Sequence, residues 1–204
     1  MASINKLVKT CKNPSDFAKH YFFKLNEILN NIPSEHINIF FNILESCRVK
    51  KKSIFIIGNG GSSSTASTMA NDISFDISKK SNTKIPFKVI SLVDNVPLMT
   101  AISNDINYES IFSEQLKISA KKNDLLIVIS ASGNSKNLIQ AVNYAKSIKM
   151  KTFGLLGFSG GKLISMCDNY IHLKTENDEY GLVEDSHLVL NHLIAHWFQI
   201  KLKK

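Results

Sequence analysis

Two short stretches of this 204-residue chain have the composition of an anion site. The first is Gly58-Asn59-Gly60-Gly61-Ser62, which runs into Ser63, Ser64 and Thr65 at the start of a helical pattern. The second is Ser130-Ala131-Ser132-Gly133-Asn134-Ser135, set between an apolar run and another helical pattern. Glycine lets backbone approach a ligand closely. A helix start offers unpaired N–H groups and a dipole that favours negative charge. The hydroxyls of Ser130, Ser132 and Ser135 add donors to that nest. Either stretch alone reads equally as a tight strand–helix turn with capping serines. Two of them at equivalent places in one sheet favour a binding site. Neither continues into Gly-Lys-Ser/Thr as a P-loop does, and neither has the G-x-G-x-x-G spacing of a dinucleotide fold. The expected ligand is therefore a small phosphate ester, and no nucleotide cofactor is expected.

The elements that must hold these loops are legible around them. Asn13-Pro14 supplies a helix cap and a first-turn proline, and Phe17, Tyr21, Leu25, Ile28 and Leu29 then recur on one face. Pro33-Ser34 restarts the pattern with Ile37, Phe40, Phe41 and Leu44. After this helical pair, residues 1–50, five short apolar β-branched runs follow: Ser53–Gly58, Pro86–Leu92, Asp124–Ser130, Lys151–Gly157 and Asn169–Lys174. Helical patterns separate most of them, at Ser63–Ser78, Val96–Ser119 (in two pieces), Lys136–Lys149 and Gly161–Cys167, with Val183–Leu202 at the end. Strands apolar on both faces alternating with helices predict an α/β fold, a three-layer sandwich around a five-stranded parallel sheet. No repeat or linker divides the chain, so one domain over 1–204 is expected, with its doubly wound core at 51–204. In such a sheet, ligands sit outside the carboxyl ends of the strands, where both loops lie.

Composition narrows the function classes. The chain is 44% hydrophobic and 21% charged, ordinary values for a globular protein. No apolar run is long enough to span a bilayer, and the first ten residues lack a secretory apolar core; a cytoplasmic protein without a membrane partner is expected. Cys11, Cys47 and Cys167 stand far apart, which suggests reduced thiols and not a disulfide frame. The net charge of +8 comes almost wholly from dispersed lysine, with Arg48 the single arginine. Nucleic-acid recognition favours arginine and a focused patch, so nucleic acid is not an expected partner.

The ordered set GNGGS, SND (Ser103–Asp105), SASGNS and GGK (Gly160–Lys162) resembles the sugar-isomerase (SIS) domain, and more closely the bacterial phosphoheptose isomerase family. The resemblance covers essentially the whole chain. It implies interconversion of sedoheptulose 7-phosphate and a heptose 7-phosphate for surface polysaccharide synthesis, in a homotetramer whose sites form between subunits. It implies that Ser130, Ala131, Ser132 and Ser135 hold the phosphate, with Ala131 where the family usually has threonine. Asn59, Gly60, Gly61, Ser62, Asn104 and Asp105 would line the sugar, although Asn104-Asp105 also reads as a helix-capping turn.

Aldose–ketose isomerisation moves a proton between adjacent carbons through an enediol. It needs a base and an acid or metal near the reacting carbons. Asp72 lies on the helix after the first loop, and the last helix carries Glu184, Asp185, His187, His192 and His196. By the resemblance, Asp72 is the base and His192 the acid, with Glu184 assisting. Thr68, Asp72, Glu184 and His192 stand where the family binds a metal, zinc foremost, through histidine, glutamate, glutamine and histidine. With Thr68 in place of an imidazole, the expected set is Asp72, Glu184 and His192 around a divalent ion. The alternative function is a non-catalytic SIS module that binds a phosphosugar or a protein partner such as a replication initiator.

Overall fold

The computed structural model describes residues 4–203; residues 1–3 and 204, the ends of the expected 1–204 unit, lie outside the described part. Three helices come first: α1 (Ile4–Thr10), α2 (Pro14–Asn30) and α3 (Ser34–Val49). Asn13 caps α2 as its sequence foretells, its side chain accepting from the Asp16 N–H at 2.9 Å, with Pro14 at the first helical position. The short α1 stands ahead of the expected helical pair, with Ile4, Leu7 and Val8 at helical spacing.

The sheet consists of β1 (Ser53–Gly58), β2 (Lys88–Ser91), β3 (Leu125–Ser130), β4 (Lys151–Leu156) and β5 (Asn169–His172). All pairings are parallel and the spatial order is β2-β1-β3-β4-β5. Side chains alternate between two cores, as period-2 geometry requires. Ile54, Ile56, Leu125, Ile127, Ile129, Phe153, Leu155 and Ile171 face one core, shared with Phe40, Leu44, Met69 and Ile194. Phe55, Ile57, Leu126, Val128 and Leu156 face the other, shared with Ile102, Phe112, Leu138 and Val142. This double burial explains why β1, β3 and β4 read as unbroken apolar runs.

The connections are α4 (Gly61–Asn71), α5 (Ile77–Ser81), α6 (Val96–Asp105), α7 (Ser113–Ser119), α8 (Lys136–Ser147) and α9 (Leu163–Met166); α10 (Tyr180–Lys201) closes the chain. The helix expected over Ser63–Ser78 is interrupted: Asp72–Asp76 forms a π-helical turn between α4 and α5. The chain leaves β1 toward β2 and then crosses back to β3, so the sheet's switch point lies between β1 and β3. Both serine-rich loops leave the sheet there.

The start of α10 is moored by Glu179, which is 1% exposed. Its carboxylate accepts from Lys24 Nζ, the Ile4 N–H and the Glu176 N–H. Burial alone would raise this carboxyl, but the hydrogen bonds from Lys24 and Ile4 outweigh it and hold it below its ordinary value. One buried acid thus ties α1 and α2 to the last helix. Among the described residues no helix is long and apolar enough to cross a membrane.

Candidate functional site

The loop after β3 is held by its own side chains. Ser130 Oγ accepts from the Gly133 N–H at 2.9 Å, which leaves the Ser130 hydroxyl proton available to a ligand. Asn134 Oδ1 accepts from the Lys162 N–H at 3.0 Å, and the Gly133 carbonyl accepts from Leu163 N–H at 3.0 Å. The GGK segment therefore backs the SASGNS loop. Ser135 sits at the N-cap of α8 but makes no side-chain cap bond, so its hydroxyl is uncommitted where helix N–H groups converge.

Across the switch point, the loop after β1 is joined to α8 by an amide pair. Asn59 Nδ2 donates to Asn137 Oδ1 at 3.0 Å, and Asn137 Nδ2 donates back to Asn59 Oδ1 at 2.9 Å. The Tyr108 hydroxyl also donates to Asn59 Oδ1, at 3.1 Å. Expected to line the sugar, Asn59 thus has its amide committed to fixing the two loops against each other. Gly61 abuts α10: a Cβ there would lie 2.2 Å from Glu184 Oε2.

Between the loops is a cleft of about 140 Å³, lined by Asn59, Ser62, Ser130, Ala131, Ser132, Ser135, Tyr180 and Glu184 together with Ile129 and Leu138. Seven residues singled out from the sequence meet there. Burial first, and the Asp185 charge second, push the Glu184 carboxyl above its ordinary value. Asp185 itself accepts from the Tyr21 hydroxyl at 2.6 Å. Asn104 and Asp105 do not line the cleft; they end α6, with Asn104 Nδ2 donating to Asp105 Oδ1 at 2.8 Å.

A second cluster lies at the far end of α4. Asp72, with 15% of its side chain exposed, has Oδ2 3.9 Å from His192 Nε2. The same Oδ2 accepts from Asn191 Nδ2 at 2.7 Å, and Asn71 Nδ2 donates to Oδ1 at 3.2 Å. The expected metal set of Asp72, Glu184 and His192 is not assembled in one chain. Glu184 and His192 are eight positions apart on α10, about 12 Å of helical rise. Glu184 therefore meets Gly61 at one end of α4 while His192 meets Asp72 at the other. Thr68 does not fill the gap, since its hydroxyl donates to the Ser64 carbonyl at 3.0 Å. Among the described residues, the three-ligand group with all ligand atoms within 4.8 Å of one another is Cys11, Asp16 and His20, near the start of α2. Its thiol, carboxylate and imidazole donors are compatible with a divalent metal.

Asn137, Tyr108, Tyr180 and Asn191 escaped the sequence reading. A signal existed for Asn191, a polar residue within a stripe of Val183, Leu190, Ile194 and Phe198 that enters the core. His187 shares that buried stripe at 0% exposure, and neither ring nitrogen has a hydrogen-bond partner among the described residues. Burial drives its imidazole down from 6.5 to about 3. The unfolded chain takes a proton near pH 6.5 that the folded chain refuses, so stability present above that pH is lost as pH falls toward 3. His187→Leu removes this linkage. At pH 4 the variant should keep about 3 kcal/mol more of its neutral-pH stability than the parent does, read from urea unfolding at pH 7 and pH 4. Equal losses in the two proteins would contradict the buried neutral imidazole.

Hydroxyl-rich loops at the switch point of a five-stranded parallel sheet place the chain in the doubly wound α/β class. The SIS domain model matches residues 20–157, and the chain belongs to the SIS domain family. It is 31% identical over 168 residues to a phosphoheptose isomerase of Campylobacter concisus, covering 79% of this chain and 86% of that one. It is 36% identical over 144 residues to one from Helicobacter pylori, covering 70% and 71%. Among solved structures, a phosphoheptose isomerase from Neisseria gonorrhoeae superposes with a TM-score of 0.77 at 26% identity, over 89% of this chain and 95% of that one. One from Francisella tularensis superposes with a TM-score of 0.78 at 25% identity, over 97% and 98%.

Proposed function

We propose that the chain is a phosphosugar aldose–ketose isomerase of the phosphoheptose isomerase type, interconverting sedoheptulose 7-phosphate and an aldoheptose 7-phosphate. The observation that carries this reading is the convergence of Ser62, Ser130, Ser132 and Ser135 on one cleft beside the start of α8. Backbone N–H groups and hydroxyls there suit a phosphate dianion. The sequence relatives named above supply the seven-carbon substrate.

Chemistry is assigned to the Asp72–His192 pair. Asp72 removes the proton from the carbon next to the carbonyl while His192 protonates the carbonyl oxygen, giving the enediol. Delivery of the proton to the former carbonyl carbon, with deprotonation of the hydroxyl on the carbon first deprotonated, makes that carbon the new carbonyl and completes the exchange without net gain or loss of atoms or electrons. Because the three-ligand metal set does not come together within the chain, no step is routed through a metal.

The pair stands beyond the 11-residue α4 from the cleft, roughly 16 Å of helical rise. A sugar anchored in one chain's cleft does not reach that chain's own pair, so a second copy supplies it in a homo-oligomer, proposed as a tetramer. A groove of about 570 Å³ between α3 and α10, lined by Ile37, Phe41, Leu193 and Trp197 among others, supports association. Trp197 is 53% exposed there, and apolar surface of this kind favours a partner.

The test is incubation of the purified protein with sedoheptulose 7-phosphate, following formation of the aldoheptose 7-phosphate. Turnover is expected. Tight sugar-phosphate binding without turnover on any ketose phosphate would overturn the reading in favour of a non-catalytic binding module.

A further inference from the structure

We propose that Asn191 is a positioning residue that fixes the Asp72 carboxylate beside His192. The inference rests on the reading of Asp72 as the base, and adds to it a residue on the opposite helix.

Asn191 is fully buried, at 0% exposure, on the face of α10 that packs toward α4. Its Nδ2 donates to Asp72 Oδ2 at 2.7 Å, while its own Oδ1 has no partner among the described residues. A buried amide with an unfilled acceptor is unfavourable, and an apolar side chain would suit this core position better. The compensation is a hydrogen bond to an ionised acceptor, stronger than one between neutral groups. The orientation of the amide follows from the same chemistry. Reversed, it would set Oδ1 against a carboxylate oxygen with no proton between them.

The carboxylate therefore meets a buried amide from α10 at Oδ2 and a more exposed amide, Asn71, at Oδ1. Rotation about its terminal bond is opposed from both sides. Asn191 and His192 are consecutive, so one turn of α10 delivers both the group that holds the base and the imidazole 3.9 Å from it. Asp72 begins the π-helical turn, where the backbone departs from regular α geometry. An external hold replaces whatever orientation a regular helix would impose.

The test compares Asn191→Leu with Asn191→Ser. Leucine has similar volume, removes the donor and leaves no unfilled acceptor; serine is too short to reach Asp72 and guards against a packing failure in the leucine variant. In both, kcat for sedoheptulose 7-phosphate should fall roughly thirtyfold, the scale of a displaced catalytic group. KM should change by less than threefold, and the thermal midpoint of the leucine variant should hold or rise. Unchanged kcat in either folded variant overturns the proposal. So does a kcat loss matched by a rise in KM and a lowered midpoint, which marks a merely structural role. Asp72→Asn separates the two readings. If it is fully active, the base assignment fails and the positioning role fails with it. If it is inactive while Asn191→Leu is fully active, the positioning role alone is lost.

Discussion

Asp72→Asn is expected to lower kcat for sedoheptulose 7-phosphate by roughly a thousandfold, the scale of losing a general base, while leaving sugar-phosphate affinity within a few fold. Asparagine keeps the shape of aspartate and its carbonyl still accepts the Asn191 amide, so α4 and α10 stay docked. What disappears is the ability to take a proton at that point. The phosphate grip is untouched because it is built around residues 130–135, at the other end of α4. Steady-state kinetics together with calorimetric titration of the sugar phosphate check both halves. A kcat within tenfold of the parent's would remove Asp72 from the reaction.

Gly133→Ala should be the most damaging single change to the fold near the site. Gly133 has φ of +65°, in the left-handed region. A Cβ there would lie 2.0 Å from the Gly160 carbonyl oxygen. Backbone cannot swing aside as a side-chain tip does, and the Leu163 N–H to Gly133 carbonyl bond, at 3.0 Å, holds the two segments together. The expected loss is about 4 kcal/mol, combining left-handed strain with forced separation of the loops. Phosphate binding should weaken at least tenfold. Gly60→Ala is the control: φ is +54° with ψ of −127°, but nothing lies within 4 Å of the added Cβ, so only backbone strain of about 2 kcal/mol is expected. Urea midpoints of the two variants decide the matter, and equal destabilisation would show that loop contact is not the cause.

The strands β1, β3 and β4 were legible because both of their faces are buried. Ser53–Gly58 reads as a strand in the sequence and is one in the structure, since period-2 alternation collapses into a continuous apolar run. The phosphate cleft was legible for a local reason too: serine and glycine between a strand and a helix announce their chemistry in a few consecutive residues. The Asp72–Asn191 contact was not, because it depends on how two helices 119 residues apart in sequence are set against each other. Local patterns define each helix's apolar face but not its axial offset. The three-ligand metal set fails for a different reason: Glu184 and His192 stand eight positions apart on one helix, about 12 Å of rise, and were matched by place in the chain and not by distance. The π-helical turn was hidden as well, since one widened turn leaves the apolar spacing of Met69, Ile73 and Ile77 almost unchanged.

That turn bears on how the chain compares with any relative. A π turn carries one residue more than the α turns around it, so it is in effect an insertion absorbed by the helix. Counting from the first loop stays in phase as far as Asp72, where the turn begins. Past it, a relative with a regular helix at this place would be out of step by one, and residue-for-residue matching over 73–81 would compare positions about 100° apart around the helix. Deleting one residue from Ile73–Asp76 is the corresponding engineering route: it should restore a continuous α-helix while leaving Ile77–Ser81 facing as they do now.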